Sequence, residues 1–191
     1  MYFVDKHTTQ TLEIKQSKFI AHLVPYSLYK DTLQELKQSH PKARHFVTAY
    51  RYFNEYNQVV EHSSDDGEPK GTSGKPTLMV LQGADMINTA IITIRYFGGT
   101  KLGTGGLVRA YSDATNGVLD LAQKKEYKHE VLKTIGFEYT HLRKVEYICS
   151  TCRIEIIEKI FSDKTQYKLK ADEKSMEEFL SQVERIVEVQ G

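Results

Sequence analysis

The clearest apolar run in the chain, Ala90-Ile91-Ile92-Thr93-Ile94-Arg95-Tyr96-Phe97, is hydrophobic on both faces. That pattern predicts a strand interior to an α/β layer. Residues 11 to 26 read as two short extended pieces, of which Phe19-Ile20-Ala21-His22-Leu23-Val24 predicts a mostly buried strand that Pro25 helps to end. Ser27 is placed to cap a helix running to about Ser39, with Leu28, Leu33 and Leu36 on its apolar face and Pro41 as its stop. Ala43 to Phe53 is aromatic and β-branched and predicts a strand. Alternation puts His45, Val47, Ala49 and Arg51 on one face and Phe46, Thr48, Tyr50 and Tyr52 on the other. Residues 54 to 76 are polar and predict a long loop, a length that usually marks function or disorder. Thr77-Leu78-Met79-Val80-Leu81 opens a short helix or buried segment that ends near Gly83. Further on, Leu107, Tyr111, Ala114, Val118 and Leu121 are spaced 4, 3, 4 and 3, which predicts one buried helical stripe. Arg109, Asp113, Asn116 and Asp120 fall on the polar side.

The polar stretch Lys124 to Glu130 predicts a domain boundary, with one domain over 1–127 and a second over 128–191. The second has a short rhythm of strand (130–140), helix (141–151), strand (Ile154–Ile160), strand (Thr165–Lys170), helix after Asp172 and strand (Ile186–Val189). That order, β-α-β-β-α-β, predicts a ferredoxin-like domain. The expected fold class is therefore α+β with two domains.

Composition narrows the functions. The 191 residues carry a net charge of +1, so any anion site must come from local clustering. No apolar run approaches the roughly 20 residues that span a bilayer, and the first residues lack the basic-then-apolar pattern of a secretory signal. Two cysteines make no disulfide framework. These features point to the cytoplasm, with no membrane partner.

Two stretches carry candidate chemistry. Five of the twelve glycines lie within residues 98 to 106. Such clustering serves positive φ angles or the close approach of a ligand or another backbone. The turn is neither a P-loop, since Gly103 is followed by Thr104, nor a dinucleotide turn, since Gly103-x-Gly105 lacks the third glycine. A glycine-rich turn opening a helix exposes backbone N–H groups at the positive dipole end. Arg95, Lys101 and Arg109, with Gly98, Gly99, Gly103, Gly105 and Gly106, therefore form a candidate phosphate site. The alternative is that the glycines only let helix and sheet pack closely. The second stretch places Asp65, Asp66 and Glu68 around Gly67. These carboxylates either hold a divalent ion, act as a general acid or base, cap the next helix, or pair with Arg95, Lys101 or Arg109.

Weaker signals read as structural. Gly71-Thr72-Ser73-Gly74 is not a nucleophile elbow. Cys149-Ser150-Thr151-Cys152 has redox spacing without a thioredoxin context or a second pair for zinc. His45 reads as a satisfied strand residue. Of the aromatics from Phe46 to Phe53, one or two exposed on a sheet face would be placed to stack bases.

The sequences Ser64-Asp65-Asp66-Gly67-Glu68-Pro69-x-Gly71-Thr72-x-Gly74-x-Pro76 and Arg95-Tyr96-Phe97-Gly98-Gly99-x-Lys101-Leu102-Gly103-x-Gly105-Gly106-Leu107-Val108-Arg109-Ala110-Tyr111 closely resemble the IMPACT/YigZ family. The resemblance implies an N-terminal domain with the fold of ribosomal protein S5 domain 2 and a ferredoxin-like C-terminal domain similar to modules of translation elongation factors. It also implies a link to translation, since eukaryotic relatives are implicated in translational control. The expectation is a translation-linked regulator that binds RNA or the ribosome at the glycine turn, with a protein partner also open. No catalytic residue and no cofactor are assigned beyond a candidate divalent ion at Asp65, Asp66 and Glu68. The alternatives are a metal-assisted enzyme acting on a phosphorylated small molecule or peptide, and a protein-binding adaptor.

Overall fold

A computed structural model describes residues 1–190. The chain divides after Tyr127 into two compact units. In the first, the elements are β1 (Tyr2–Phe3), β2 (Thr8–Ile14), β3 (Ser17–Pro25), α1 (Tyr29–Ser39), β4 (His45–Phe53), β5 (Val59–Ser64), α2 (Gly74–Gly83), β6 (Thr89–Tyr96), α3 (Gly103–Leu121) and β7 (Lys125–Glu126). Five strands form an antiparallel sheet in the order β2-β3-β6-β4-β5. β6 is central, and every residue from Thr89 to Arg95 is buried. This is why its sequence does not alternate.

The two faces of the sheet are covered differently. Phe19, Ala21, Leu23, Val47, Ala49 and Ile91 face Leu81 of α2 and Leu107, Tyr111, Ala114 and Val118 of α3. Phe46, Ile92 and Ile94 face Leu36 of α1. Each large aliphatic side chain buried in this way contributes about 1.5–3 kcal/mol. The stripe of α3 departs from its expected end. Leu121 is 62% exposed, whereas Leu119 is 2% exposed and Thr115 is fully buried. Thr115 and Leu119, one turn apart, widen the stripe, and Leu121 lies in the last turn.

The polar stretch 54–76 is not one loop. Val59–Ser64 pairs with β4 as strand β5, after a turn in which Asn54 Oδ1 accepts from the N–H groups of Tyr56 and Gln58. β5 is the edge strand beside β4, and none of its residues is fully buried, so it lacks the apolar run that marks an interior strand. α2 begins at Gly74 rather than Thr77. The expected cap Ser27 lies within a 3₁₀ turn (Tyr26–Leu28), and among the described residues no side chain caps α1.

The second unit contains β8 (Glu130–Phe137), α4 (Leu142–Thr151), β9 (Glu155–Phe161), β10 (Thr165–Asp172), α5 (Glu173–Val183) and β11 (Glu188–Gln190). Its antiparallel sheet runs β11-β8-β10-β9, so in the unit's own count the strands lie fourth, first, third, second. That is the ferredoxin-like arrangement. Ile135, Phe137, Tyr167 and Leu169 pack against Val145, Ile148, Met176 and Phe179. Asp172 caps α5, accepting from the Ser175 N–H at 3.0 Å. Cys149 and Cys152 are free and buried in this core, and burial pushes the Cys149 thiol up to about 12. Neither cysteine has the lowered thiol pKa that redox chemistry needs. Among the described residues no helix is long and apolar enough to cross a membrane.

One buried group makes the first unit sensitive to acid. His22, on the α1 side of the sheet, has its Nδ1 3.0 Å from His7 Nε2 and 3.1 Å from Thr9 Oγ1, while its Nε2 is buried without a partner. Burial, then the nearby His7 and His40, lowers its pKa from 6.5 to about 4. His7 is also lowered, by burial, against the opposing charge of Glu35. Below pH 6.5 the unfolded chain takes up a proton that the folded chain refuses. Stability is thus fully present above about pH 6.5 and is lost as pH falls towards about 4. Urea midpoints should drop across that window in wild type and drop less in His22→Gln; equal slopes would contradict this assignment.

Candidate anion-binding site

β6 ends on Arg95-Tyr96, with Phe97 just beyond. Strand register sets Phe19 of β3 on one side of Arg95 and His45 of β4 on the other. The guanidinium lies 5.4 Å from the ring centroid of Phe19 and 5.7 Å from that of Phe97. Its Nη1 donates to Glu68 Oε1 at 2.7 Å, and the Tyr111 hydroxyl donates to the same oxygen at 2.9 Å. Arg95 is 6% exposed and Glu68 8%. Burial, with the Glu68 charge beside it, holds the Tyr111 hydroxyl far above the ordinary tyrosine range, so it remains a proton donor. Among the described residues the buried Arg95 Nε has no partner.

The other two carboxylates of the acidic loop have separate tasks. Asp65 Oδ1 accepts from the Ser73 hydroxyl (2.6 Å), the Gly74 N–H (2.8 Å) and the Ser73 N–H (3.1 Å), and Oδ2 accepts from the Gly71 N–H (2.7 Å). It caps α2 from eight residues before Ser73. Burial pushes the Asp65 carboxyl up, but the Ser73 hydroxyl and these N–H groups bring it below its usual value. Asp66 Oδ2 accepts from the Phe46 N–H at 2.7 Å, and its carbonyl accepts from His45 Nδ1 at 2.9 Å. The loop is therefore fastened to α2 by Asp65, to β4 by Asp66 and to β6 and α3 by Glu68. A divalent ion would have to displace these bonds. Among the described residues no three His, Cys, Asp or Glu are grouped to hold one.

The glycine turn has mixed origins. The Gly98 N–H donates to Ser17 Oγ at 3.1 Å, and a Cβ there would run into the backbone of Gln16 and Ser17. Gly98 is thus a close-approach position against the β2–β3 hairpin. Gly99 and Gly103 adopt φ of +88° and +73°. Gly105 and Gly106 lie in the first turn of α3, whose N-terminus no side chain caps. Lys101 and Arg109 are exposed. Among the described residues neither forms an ion pair. Arg95 is held by Glu68 at the strand end, so the three expected cations do not form one cluster of like environment.

Arg95 instead lines a cleft of about 390 Å³ with Lys42, Arg44, His45, Tyr96 and Phe97. Among the described residues no carboxylate lines it. Tyr96 is held at its hydroxyl by His40 Nδ1 at 2.8 Å, while Phe97 is 56% exposed. Lys42 and Arg44 were not among the sequence candidates. Their signal, two cations just before a strand, gains meaning only from the His45–Arg95 register, which joins residues fifty apart. Chemically, the site offers cationic donors, an exposed ring and, at the α3 N-terminus, free backbone N–H groups.

A family model described as the Impact N-terminal domain matches residues 15–119. An IMPACT family member of Haemophilus influenzae is 36% identical, covering 90% of this chain and 84% of that protein. IMPACT family member YvyE of Bacillus subtilis is 32% identical, covering 93% and 83%. A crystal structure of a hypothetical protein is similar at 27% identity and a TM-score of 0.67, over 100% of this chain and 96% of that one.

The buried pair has a measurable signature. Removing one partner of such a pair costs about 3–5 kcal/mol, because the other is left as an uncompensated buried charge. Glu68→Gln and Arg95→Met should each show losses of about that size in urea unfolding. The double variant should lose clearly less than their sum. Additive losses would contradict the pairing.

Proposed function

The chain belongs to the IMPACT family, and from that premise we propose that it acts in translation by binding RNA, free or within the ribosome, through its phosphates. The translational setting is the one that the family resemblance implies. The binding reading rests on one observation: Lys42, Arg44, His45 and Arg95 line a single cleft with the exposed Phe97 and, among the described residues, no acidic side chain. The Gly98–Gly106 turn, with Lys101, Arg109 and the uncapped start of α3, supplies a second anchor for the strand. Such contacts give affinity without sequence specificity, and that affinity falls with salt. A metal-assisted enzyme has no comparable support, because each carboxylate of the acidic loop is already committed to other bonds.

The test uses single-stranded RNA and ribosomes over a salt series, with Lys42→Ala/Arg44→Ala and Lys101→Ala/Arg109→Ala as the variants. All four side chains are exposed, so these variants should fold. Arg95 is left intact because its loss would unpair Glu68. Losing two phosphate contacts should lower the slope of log affinity against log salt by about 1–2. Absence of RNA and ribosome binding by wild type at low salt would overturn the proposal. Unchanged slopes in both variants would remove these residues from it.

A further inference from the structure

We infer that the cleft at the end of β6 takes one phosphate monoester of a nucleotide, either at the terminus of a nucleic-acid strand or on a free nucleoside monophosphate. This rests on reading the cleft as a phosphate site. A surface that tracks internal phosphodiesters spreads its cations along a groove. Here the cations Lys42, Arg44 and Arg95, together with His45, line a single cleft of about 390 Å³, room for one nucleotide rather than a length of strand. A monoester carries about −1.5 to −2 charges at neutral pH and three strong acceptor oxygens. A diester carries one charge. Among the described residues no carboxylate is in the lining, Glu68 is paired with Arg95, and Lys42 and Arg44 form no ion pair, so the lining itself is positive and the doubly charged form gains more from it.

Arg95 is prepared for this task before any ligand arrives. Of the five N–H groups of a guanidinium, one on Nη1 serves Glu68, and among the described residues the buried Nε–H has no partner. The side chain is more than nine-tenths buried and lies against Phe19 and Phe97. Holding an oxyanion there costs little further side-chain ordering. Phe97 at the rim is exposed, and a base attached to the phosphate would stack on its ring.

The experiment compares, with the full chain, one short single-stranded RNA carrying a 5′-phosphate, a 3′-phosphate or hydroxyls at both ends. A nucleoside monophosphate, its nucleoside and inorganic phosphate are titrated separately. One phosphorylated end should bind about tenfold or more tightly than the unphosphorylated strand. That preference should vanish in Lys42→Ala/Arg44→Ala and persist in Lys101→Ala/Arg109→Ala. Phe97→Ala should weaken the monophosphate but not inorganic phosphate. Equal, salt-dependent binding of all three RNAs overturns the inference and leaves the RNA reading standing. Binding of the monophosphate without any RNA or ribosome binding supports the inference and overturns the RNA reading. Failure of every phosphate monoester to bind preferentially overturns the inference outright.

Discussion

A carboxylate taken out of water costs several kcal/mol unless its charge and lone pairs are met. Glu68 meets that cost with the Arg95 guanidinium and the Tyr111 hydroxyl, both on the same oxygen. Three separate pieces of chain are thereby joined: the acidic loop, the end of the central strand and the middle of α3. Asp65 and Asp66 extend the fastening to α2 and β4. Replacing such a pair by well-packed apolar groups often leaves stability unchanged or raised. Its importance lies in geometry: it fixes where the Arg95 guanidinium stands and which residues surround it.

That placement divides the local electrostatics. Arg95 is ion-paired and buried, yet it forms one wall of a cleft whose other cations, Lys42 and Arg44, are exposed. Lys101 and Arg109 belong to the neighbouring turn and helix. Gly98 lets the turn lie directly against the β2–β3 hairpin, so the chain leaves β6 along one defined route. Structural and binding roles are thus split among glycines and cations that stand close together in sequence.

Periodicity made much of the fold legible. The apolar run of β6, buried from Thr89 to Arg95, the alternation of β4 and the β-α-β-β-α-β order of the second unit could all be read from residue spacing. Reading failed where polarity had a cause other than a loop. Val59–Ser64 lies at the sheet edge with no fully buried residue and so gives a weak strand signal, and Leu121 is apolar although α3 ends there. At the site, the two motifs could be recognised as unusual, but their connections could not. Asp65, Asp66 and Glu68 are neighbours in sequence and go to three different partners. Lys42 and Arg44 acquire a role only through the pairing of β4 with β6, a long-range contact that local pattern does not encode.

The central claim is that Glu68 fixes the Arg95 guanidinium at one wall of the cleft that we propose takes an anion. Nitrogen-15 NMR of the arginine side chains, followed while inorganic phosphate is added, addresses it directly. The account predicts a slowly exchanging Arg95 guanidinium signal before addition, protected by burial and by Glu68. It further predicts a saturable shift of that signal on phosphate binding, absent in Lys42→Ala/Arg44→Ala. An Arg95 signal that exchanges as fast as that of exposed Arg109, or one that phosphate leaves unmoved, would contradict it.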